Sequence, residues 1–244
     1  MPTDLERTLI VMPAFNEEEA VGDVVREVLC KLPGAHCLVV NDGSRDDTTR
    51  VARDAGATVA ELPFNLGVGG AMRLGFKYAV TNGYANVVQI DSDGQHDPGN
   101  VPELLSRLGE CDLAIGARFA GEGDYEVRGP RRWAMRALAG ILSHTSGTTL
   151  TDTTSGFKAC GPKAVALFAD HYPAEYLGDT IEALVIASRA GCAVRQVPVA
   201  MRPRAGGTPS HNPFKAALYL GRAFLALGFA SVRPVRTLTV KVEP

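Results

Sequence analysis

Leu9-Ile10-Val11-Met12 begins the hydrophobic pattern as a continuous apolar run closed by Pro13. Beyond the acidic turn Asn16-Glu17-Glu18-Glu19, apolar positions recur at Val21, Val24, Val25, Val28 and Leu29, the spacing of one helix face. This unit of strand, polar turn and helix then repeats. Cys37-Leu38-Val39-Val40 leads into Asn41-Asp42-Gly43-Ser44, with Asp46 or Asp47 placed to cap a helix through Val51 toward Gly56. A third strand is expected from Thr58 to Leu62, followed by Asn65-Leu66-Gly67-Val68-Gly69-Gly70 and a helix from about Ala71 to Thr81. A fourth, Val87 to Ile90, ends in Asp91-Ser92-Asp93-Gly94-Gln95-His96-Asp97-Pro98 before a helix near Val101. A fifth, Asp112 to Ala117, ends at Arg118, and a last strand runs from Val194 to Val199. Such alternation predicts an α/β chain with a doubly wound, mainly parallel sheet of Rossmann-like type.

Apolar strands that stop abruptly in acids deliver carboxylates to the C-terminal lip of the sheet, where open α/β folds keep their ligands. Glu17 follows the first strand, Asp42 the second, and Asp91 and Asp93 the fourth. Gathered there, they repel one another unless a cation or hydrogen-bond donors answer them. Asp91 and Asp93, with Gln95 two residues on, offer hard oxygen ligands suited to Mg²⁺ or Mn²⁺, a metal that keeps waters and takes substrate phosphates. A nucleoside diphosphate would complete the set, with Glu17 and Asp42 on ribose hydroxyls and base N–H groups. Each acid also has a plain structural reading as a helix cap, first-turn acid or turn residue. The glycine cluster fails the dinucleotide fingerprint, because Met72 stands where its last glycine belongs. It suits instead a close approach of backbone to an anion at a helix start.

Composition narrows the partners. With 244 residues, 45% of them hydrophobic, the chain can bury a full core, and no linker divides it. A net charge of −2 argues against general nucleic-acid binding. Cys30, Cys37, Cys111, Cys160 and Cys192 are scattered and odd in number, as expected of core residues in a reducing compartment. With no leader-like start, the expected location is cytoplasmic. The charge is nevertheless segregated. Arg128, Arg131, Arg132 and Arg136 lie in an acid-free stretch with Trp133, Met135, Leu138 and Ile141, and nine basic residues but no acid fall between Ala183 and Val242. Both read as basic amphipathic surfaces for a membrane, or as helices packed on the domain. Phe214 to Val232 is interrupted by Lys215 and Arg222, so it is expected to lie on the membrane, not to cross it. The chain then divides into a catalytic domain, 1–212, and a C-terminal amphipathic helix and tail, 213–244. Arg202 to His211, rich in Gly and Pro, reads as a lid over the diphosphate or a plain connector.

Six motifs in order, Pro13-Ala14-Phe15-Asn16-Glu17, Asn41-Asp42-Gly43-Ser44, Asn65-Leu66-Gly67 with Gly69-Gly70-Ala71, Asp91 to Pro98, Gly116-Ala117-Arg118-Phe119 and Thr154-Ser155-Gly156-Phe157-Lys158, resemble glycosyltransferase family 2. Within it they look most like the dolichol-phosphate (polyprenyl-phosphate) mannose synthase branch. The resemblance implies a GT-A fold, a divalent metal, Mg²⁺ or Mn²⁺, and inverting transfer from a nucleoside-diphosphate sugar such as GDP-mannose or a UDP-hexose. The implied acceptor is polyprenyl phosphate at the cytoplasmic face of the membrane. It assigns Pro13, Ala14, Phe15, Glu17, Val40, Asp42, Gly67, Asp91, Ser92 and Arg202 to the nucleotide sugar and Asp91, Asp93 and Gln95 to the metal. Arg118, Arg131 and Ser155 fall to the acceptor phosphate, and Asp93, Arg118 and Asp179 to catalysis. A phosphate acceptor is already ionised and needs cationic clamping more than a base. A hydroxyl of a glycan or glycolipid would instead need Asp179 to take its proton, unless Asp179 merely caps its helix. A small integral membrane partner, which some family members require, is compatible with this reading. A non-catalytic nucleotide-sugar-binding regulator is the alternative of another class.

Overall fold

The computed structural model describes residues 5–117, 140, 150, 152, 155–173 and 179–203. Strands β1 (Thr8–Ala14), β2 (His36–Asn41), β3 (Thr58–Glu61), β4 (Asn86–Gln89), β5 (Leu113–Ala117), β6 (Lys158–Cys160) and β7 (Val194–Pro198) form one sheet in the order β3-β2-β1-β4-β6-β5-β7. All pairings are parallel except those of β6, which runs antiparallel to both β4 and β5. All seven residues of β1 are buried, as expected for a central parallel strand covered on both faces.

Alternation along the strands divides the core into two layers. Leu9, Val11, Leu38 and Val40 face α3 (Gly67–Thr81), α5 (Pro162–His171) and α6 (Asp179–Arg189). Ile10, Met12, Cys37 and Val39 face α1 (Val21–Lys31), α2 (Thr48–Asp54) and α4 (Val101–Arg107). The periodicity predicted for α1 is the face it buries, through Val21, Val24, Val25 and Val28. Phe76 of α3 closes the first layer against Phe168 and Tyr172, with ring centroids 5.2 and 5.1 Å apart. Among the described residues no helix is long and apolar enough to cross a membrane. The basic stretch from Arg128 to Arg136, the amphipathic helix and tail of 213–244, and the lid beyond residue 203 lie outside the described residues.

Three elements differ from the sequence reading: β6, α3 and α5, the last of which has no counterpart there. β6 was not expected, because Lys158-Ala159-Cys160 is too short and too polar at its start to register as a strand. It exists because β4 and β5 leave a gap that it fills by pairing Gln89 with Lys158 and Ile115 with Lys158 from opposite sides. α3 begins at Gly67, four residues before the expected start, so the glycine cluster is the first turn of the helix and not a loop.

Candidate functional site

The parallel strands β1, β2 and β4 all end on the same lip, and the loops leaving them interlock. Asn16, held at φ +54°, takes the Arg45 backbone N–H on Oδ1 at 2.9 Å, and its own N–H donates to Ser44 Oγ at 2.9 Å. Asparagine tolerates this left-handed conformation better than most residues. Glu17 N–H donates to Thr48 Oγ1 at 2.9 Å. Gly43, at φ +73°, lies so close to the next loop that a Cβ there would sit 2.8 Å from the carbonyl carbon of Phe64. Between these loops opens a cavity of about 520 Å³, walled by Phe15, Asn16, Gly43, Arg45, Glu61 and Phe64. Phe15 and Phe64 are 42% and 62% exposed, and aromatic rings on a cavity wall are suited to stack a planar ligand.

Asp42 stands between Asn41 and Gly43, two residues that line that cavity. It is buried, and its Oδ1 and Oδ2 accept the backbone N–H groups of Leu66 at 2.7 Å and Gly67 at 2.8 Å. These are the first free N–H groups of α3, so a carboxylate from β2 caps a helix about 25 residues away in sequence and favours its positive end. Burial pushes the Asp42 pKa up, and the two N–H bonds work against that rise. The expected contact of Asp42 with the nucleotide has to use its remaining lone pairs.

The carboxylate loop follows β4. Ser92 is buried and its hydroxyl donates to the Pro13 carbonyl at 3.0 Å, tying this loop to the end of β1. Asp93, 7% exposed, accepts the Gln95 N–H at 3.0 Å. The Asp91 side chain is 38% exposed, its Oδ1 accepting from Gln89 Nε2 at 3.1 Å. The cap on the following 3-10 turn, Pro98–Asn100, comes from Asp97, which accepts the Gly99 N–H at 2.8 Å. Asp91 is therefore free of the capping role that its position in the sequence also allowed. Gly156 lies directly against it: a Cβ there would stand 3.1 Å from both Asp91 carboxylate oxygens. The backbone leaves that side of the carboxylate open to nothing larger than a hydrogen. Among the described residues no three His, Cys, Asp or Glu side chains converge on a common point. Two carboxylates and an amide fit a hard cation whose other ligands are waters and phosphates, and the cradle at Gly156 suits that use.

Several expected site residues sit elsewhere than on an open surface. Val40 is completely buried in the core and Ala14 nearly so, so their side chains support the site from beneath. Arg202 has both terminal nitrogens committed, Nη1 to Glu27 at 2.9 Å and Nη2 to Asp97 at 2.7 Å, and its backbone N–H donates to the Gln95 carbonyl at 3.0 Å. Lys31 completes the cluster at 2.8 Å from each acid. Burial alone would raise the Asp97 carboxyl. The Lys31 ammonium, the Gly99 N–H and the Arg202 guanidinium outweigh it and hold the pKa at about 2. Glu27 is lowered in the same way, against its burial, by Lys31 and Arg202. The sequence reading put Arg202 on the diphosphate, whereas this guanidinium braces the outer side of the carboxylate loop. Ser155 is buried, its Oγ 3.3 Å from the Phe157 N–H. Asp179 is the first residue of α6. Arg118 and Arg131 lie outside the described residues. His96, quoted in the motif without a role, is buried beside Asp91, and only its place in that motif pointed to it.

Residues 9–166 match the family model described as Glycosyl transferase family 2. The undecaprenyl-phosphate mannosyltransferase of Micrococcus luteus is 31% identical over 201 residues, covering 79% of this chain and 82% of its own. The dolichyl-phosphate hexose transferase of Haloferax volcanii is 29% identical over 218 residues, covering 88% and 91%. Among solved structures, glucosyl-3-phosphoglycerate synthase of Mycobacterium tuberculosis, crystallised with Mn²⁺, UDP and glucosyl-3-phosphoglycerate, superposes with a TM-score of 0.72 at 23% identity, over 94% of this chain and 81% of that one. That likeness establishes the GT-A fold expected from the motifs. With the carboxylate loop at the lip of such a sheet and the family match running through it, the chain belongs to glycosyl transferase family 2.

Proposed function

We propose that the protein transfers a sugar, with inversion, from a nucleoside-diphosphate sugar to a polyprenyl phosphate at the cytoplasmic face of a membrane. The observation that carries the donor half is the 38% exposed Asp91 carboxylate just beyond β4, on the same sheet lip as the loops that enclose a cavity of about 520 Å³ with two exposed phenylalanines. Phe15 and Phe64 take the base, and Glu17 and the free lone pairs of Asp42 take ribose hydroxyls. Asp91, Asp93 and Gln95 hold Mg²⁺ or Mn²⁺, and the two relatives similar over most of this chain carry names that specify polyprenyl-type phosphates. The ion supplies charge stabilisation to the departing diphosphate.

The remaining steps belong to the chain's own residues. Gly156 packs against the Asp91 oxygens with no side chain to displace them, and the Glu27, Lys31, Asp97 and Arg202 cluster keeps the loop that bears Gln95 in place. The acceptor phosphate attacks the anomeric carbon as an oxyanion, so it needs no proton removed. Arg118 and Arg131 are assigned to clamp it, beside Ser155. The acid-free arginine stretch and the C-terminal segment rest on the anionic lipid surface that carries the acceptor.

The test is transfer from labelled UDP- and GDP-sugars into membrane lipid with Mn²⁺ or Mg²⁺, followed by mild acid. Acid-labile lipid label that disappears in Asp93→Ala is the expected result. Acid-stable label, with a loss of about 100-fold in Asp179→Asn, would move the acceptor to a hydroxyl. No transfer or hydrolysis of any donor would leave a binding protein.

A further inference from the structure

His96 lies five residues beyond Asp91, and its ring is 2% exposed. The chain folds back so that Nδ1 accepts the backbone N–H of Asp91 at 3.0 Å. A ring nitrogen that accepts carries no proton, so in the neutral ring the N–H is on Nε2. That nitrogen lies 3.7 Å from Asp91 Oδ2. On its other side the imidazole stacks on Phe157, with centroids 4.9 Å apart and planes 15° from parallel. Phe157 is itself completely buried and follows Gly156, the residue pressed against the Asp91 oxygens. Three residues thus bound Asp91, whose side chain remains 38% exposed. Gln89 Nε2 meets Oδ1, His96 flanks Oδ2 and holds the backbone, and Gly156 forms the floor.

The geometry points to His96 as a positioning residue: it fixes the main chain and carboxylate of Asp91 in the orientation that receives a divalent cation. This rests on the metal assignment proposed above. The ring is not itself a ligand, since one nitrogen is occupied by the Asp91 N–H and the group is closed off from solvent. A histidine that only fills space beside Phe157 would do none of this, and the two roles separate by substitution. His96→Phe keeps a flat ring for the stack but has no acceptor for the Asp91 N–H. His96→Asn gives up the stack and keeps an oxygen where Nδ1 stands.

The experiment titrates full-length protein with Mn²⁺ alone and reads free ion by electron paramagnetic resonance, with circular dichroism and melting temperature recorded for each variant. Partners that orient a ligating group are worth about 10 to 100-fold in metal affinity. His96→Phe should weaken Mn²⁺ binding by about tenfold or more while remaining folded, and His96→Asn should stay within about threefold of the parent. Parental affinity in His96→Phe overturns the proposal, and so does a tenfold loss in a folded His96→Asn. Should His96→Phe fail to fold, His96→Asn decides by the same limits. Failure of the unsubstituted protein to bind Mn²⁺ would remove the metal assignment itself. A parent that binds, alongside a His96→Phe that binds equally well, would remove only the role of His96.

Discussion

Replacing Asp42 with Asn tests whether this residue holds the loop that lines the cavity. The substitution keeps the shape and one acceptor oxygen, but it turns an NH₂ toward Leu66 or Gly67, both of which present N–H groups at 2.7 and 2.8 Å. One hydrogen bond to a charged group, worth about 1.5–3 kcal/mol, is lost. The anion at the start of α3, worth about 0.3–1 kcal/mol, goes with it. Removing the charge also relieves the burial that pushes the Asp42 pKa up, which offsets part of the loss. The expected net cost is about 2 kcal/mol, which in a chain of this size lowers the melting temperature by about 4–8 °C. A thermal melt at pH 7 measures it, with Asp42→Ala falling further because the Leu66 N–H loses its Asp42 acceptor and the Gly67 N–H keeps only Asn65 Oδ1 at 3.2 Å. Loosening of the Leu62 to Gly67 loop should raise the donor KM as a secondary effect. A melting temperature within about 1 °C of the parent would refute the reasoning. If the donor KM rose nonetheless, Asp42 would act on the nucleotide directly and not through the loop.

Three further outcomes follow from the same geometry. Gly156→Ala should weaken Mn²⁺ binding and turnover by about tenfold, because the new methyl stands 3.0 Å from Gln89 Nε2 and 3.1 Å from each Asp91 oxygen; parental Mn²⁺ affinity would show that the loop yields freely. Asp97 and Glu27 have lowered pKa values, so the stability they contribute is present above their ordinary values near 4 and drains away as pH falls through the lowered ones, about 2 for Asp97. Arg202→Met should therefore flatten the acid limb of a stability-pH curve. With side chains about a third exposed the effect is about 1 kcal/mol and shrinks in salt, and an unchanged limb would dismiss the cluster as a contributor. Of the five cysteines only Cys30 is exposed, while burial pushes Cys37 and Cys160 up to about 12. A thiol reagent at pH 8 should modify one thiol in the native protein and five in urea; rapid modification of a second would contradict the packing.

The glycine cluster shows where local pattern stops being informative. Gly67 to Gly70 read as loop because glycine is a poor helix former. Asn65 Oδ1 accepts the Gly67 N–H at 3.2 Å, but the shorter bonds, at Leu66 and Gly67, run to Asp42 from another strand. Asp97 repeats the lesson in the carboxylate loop, where three acids compete for one capping role and only the folded backbone shows which takes it. Arg202 reads as a phosphate ligand from charge and context, yet its partner Glu27 is 175 residues away. No sequence window contains that pair. The antiparallel β6 is a similar case, since three residues acquire strand geometry from the neighbours on either side.

The strands and helices were legible because burial imposes a period that depends only on neighbouring residues. The acids at the strand ends were legible because a parallel sheet sends every C-terminus to one lip. Those two facts, with six ordered motifs, determined the fold, the family and the loop that bears Asp91, Asp93 and Gln95. Tertiary structure alone decided which acid caps, which braces and which stays open. It gave Asp42 to α3, Asp97 to its own turn and the Arg202 cluster, and left Asp91 between Gln89, His96 and Gly156. The reason is physical: a carboxylate's role is set by which donors reach its oxygens, and those donors arrive from segments that only folding brings together.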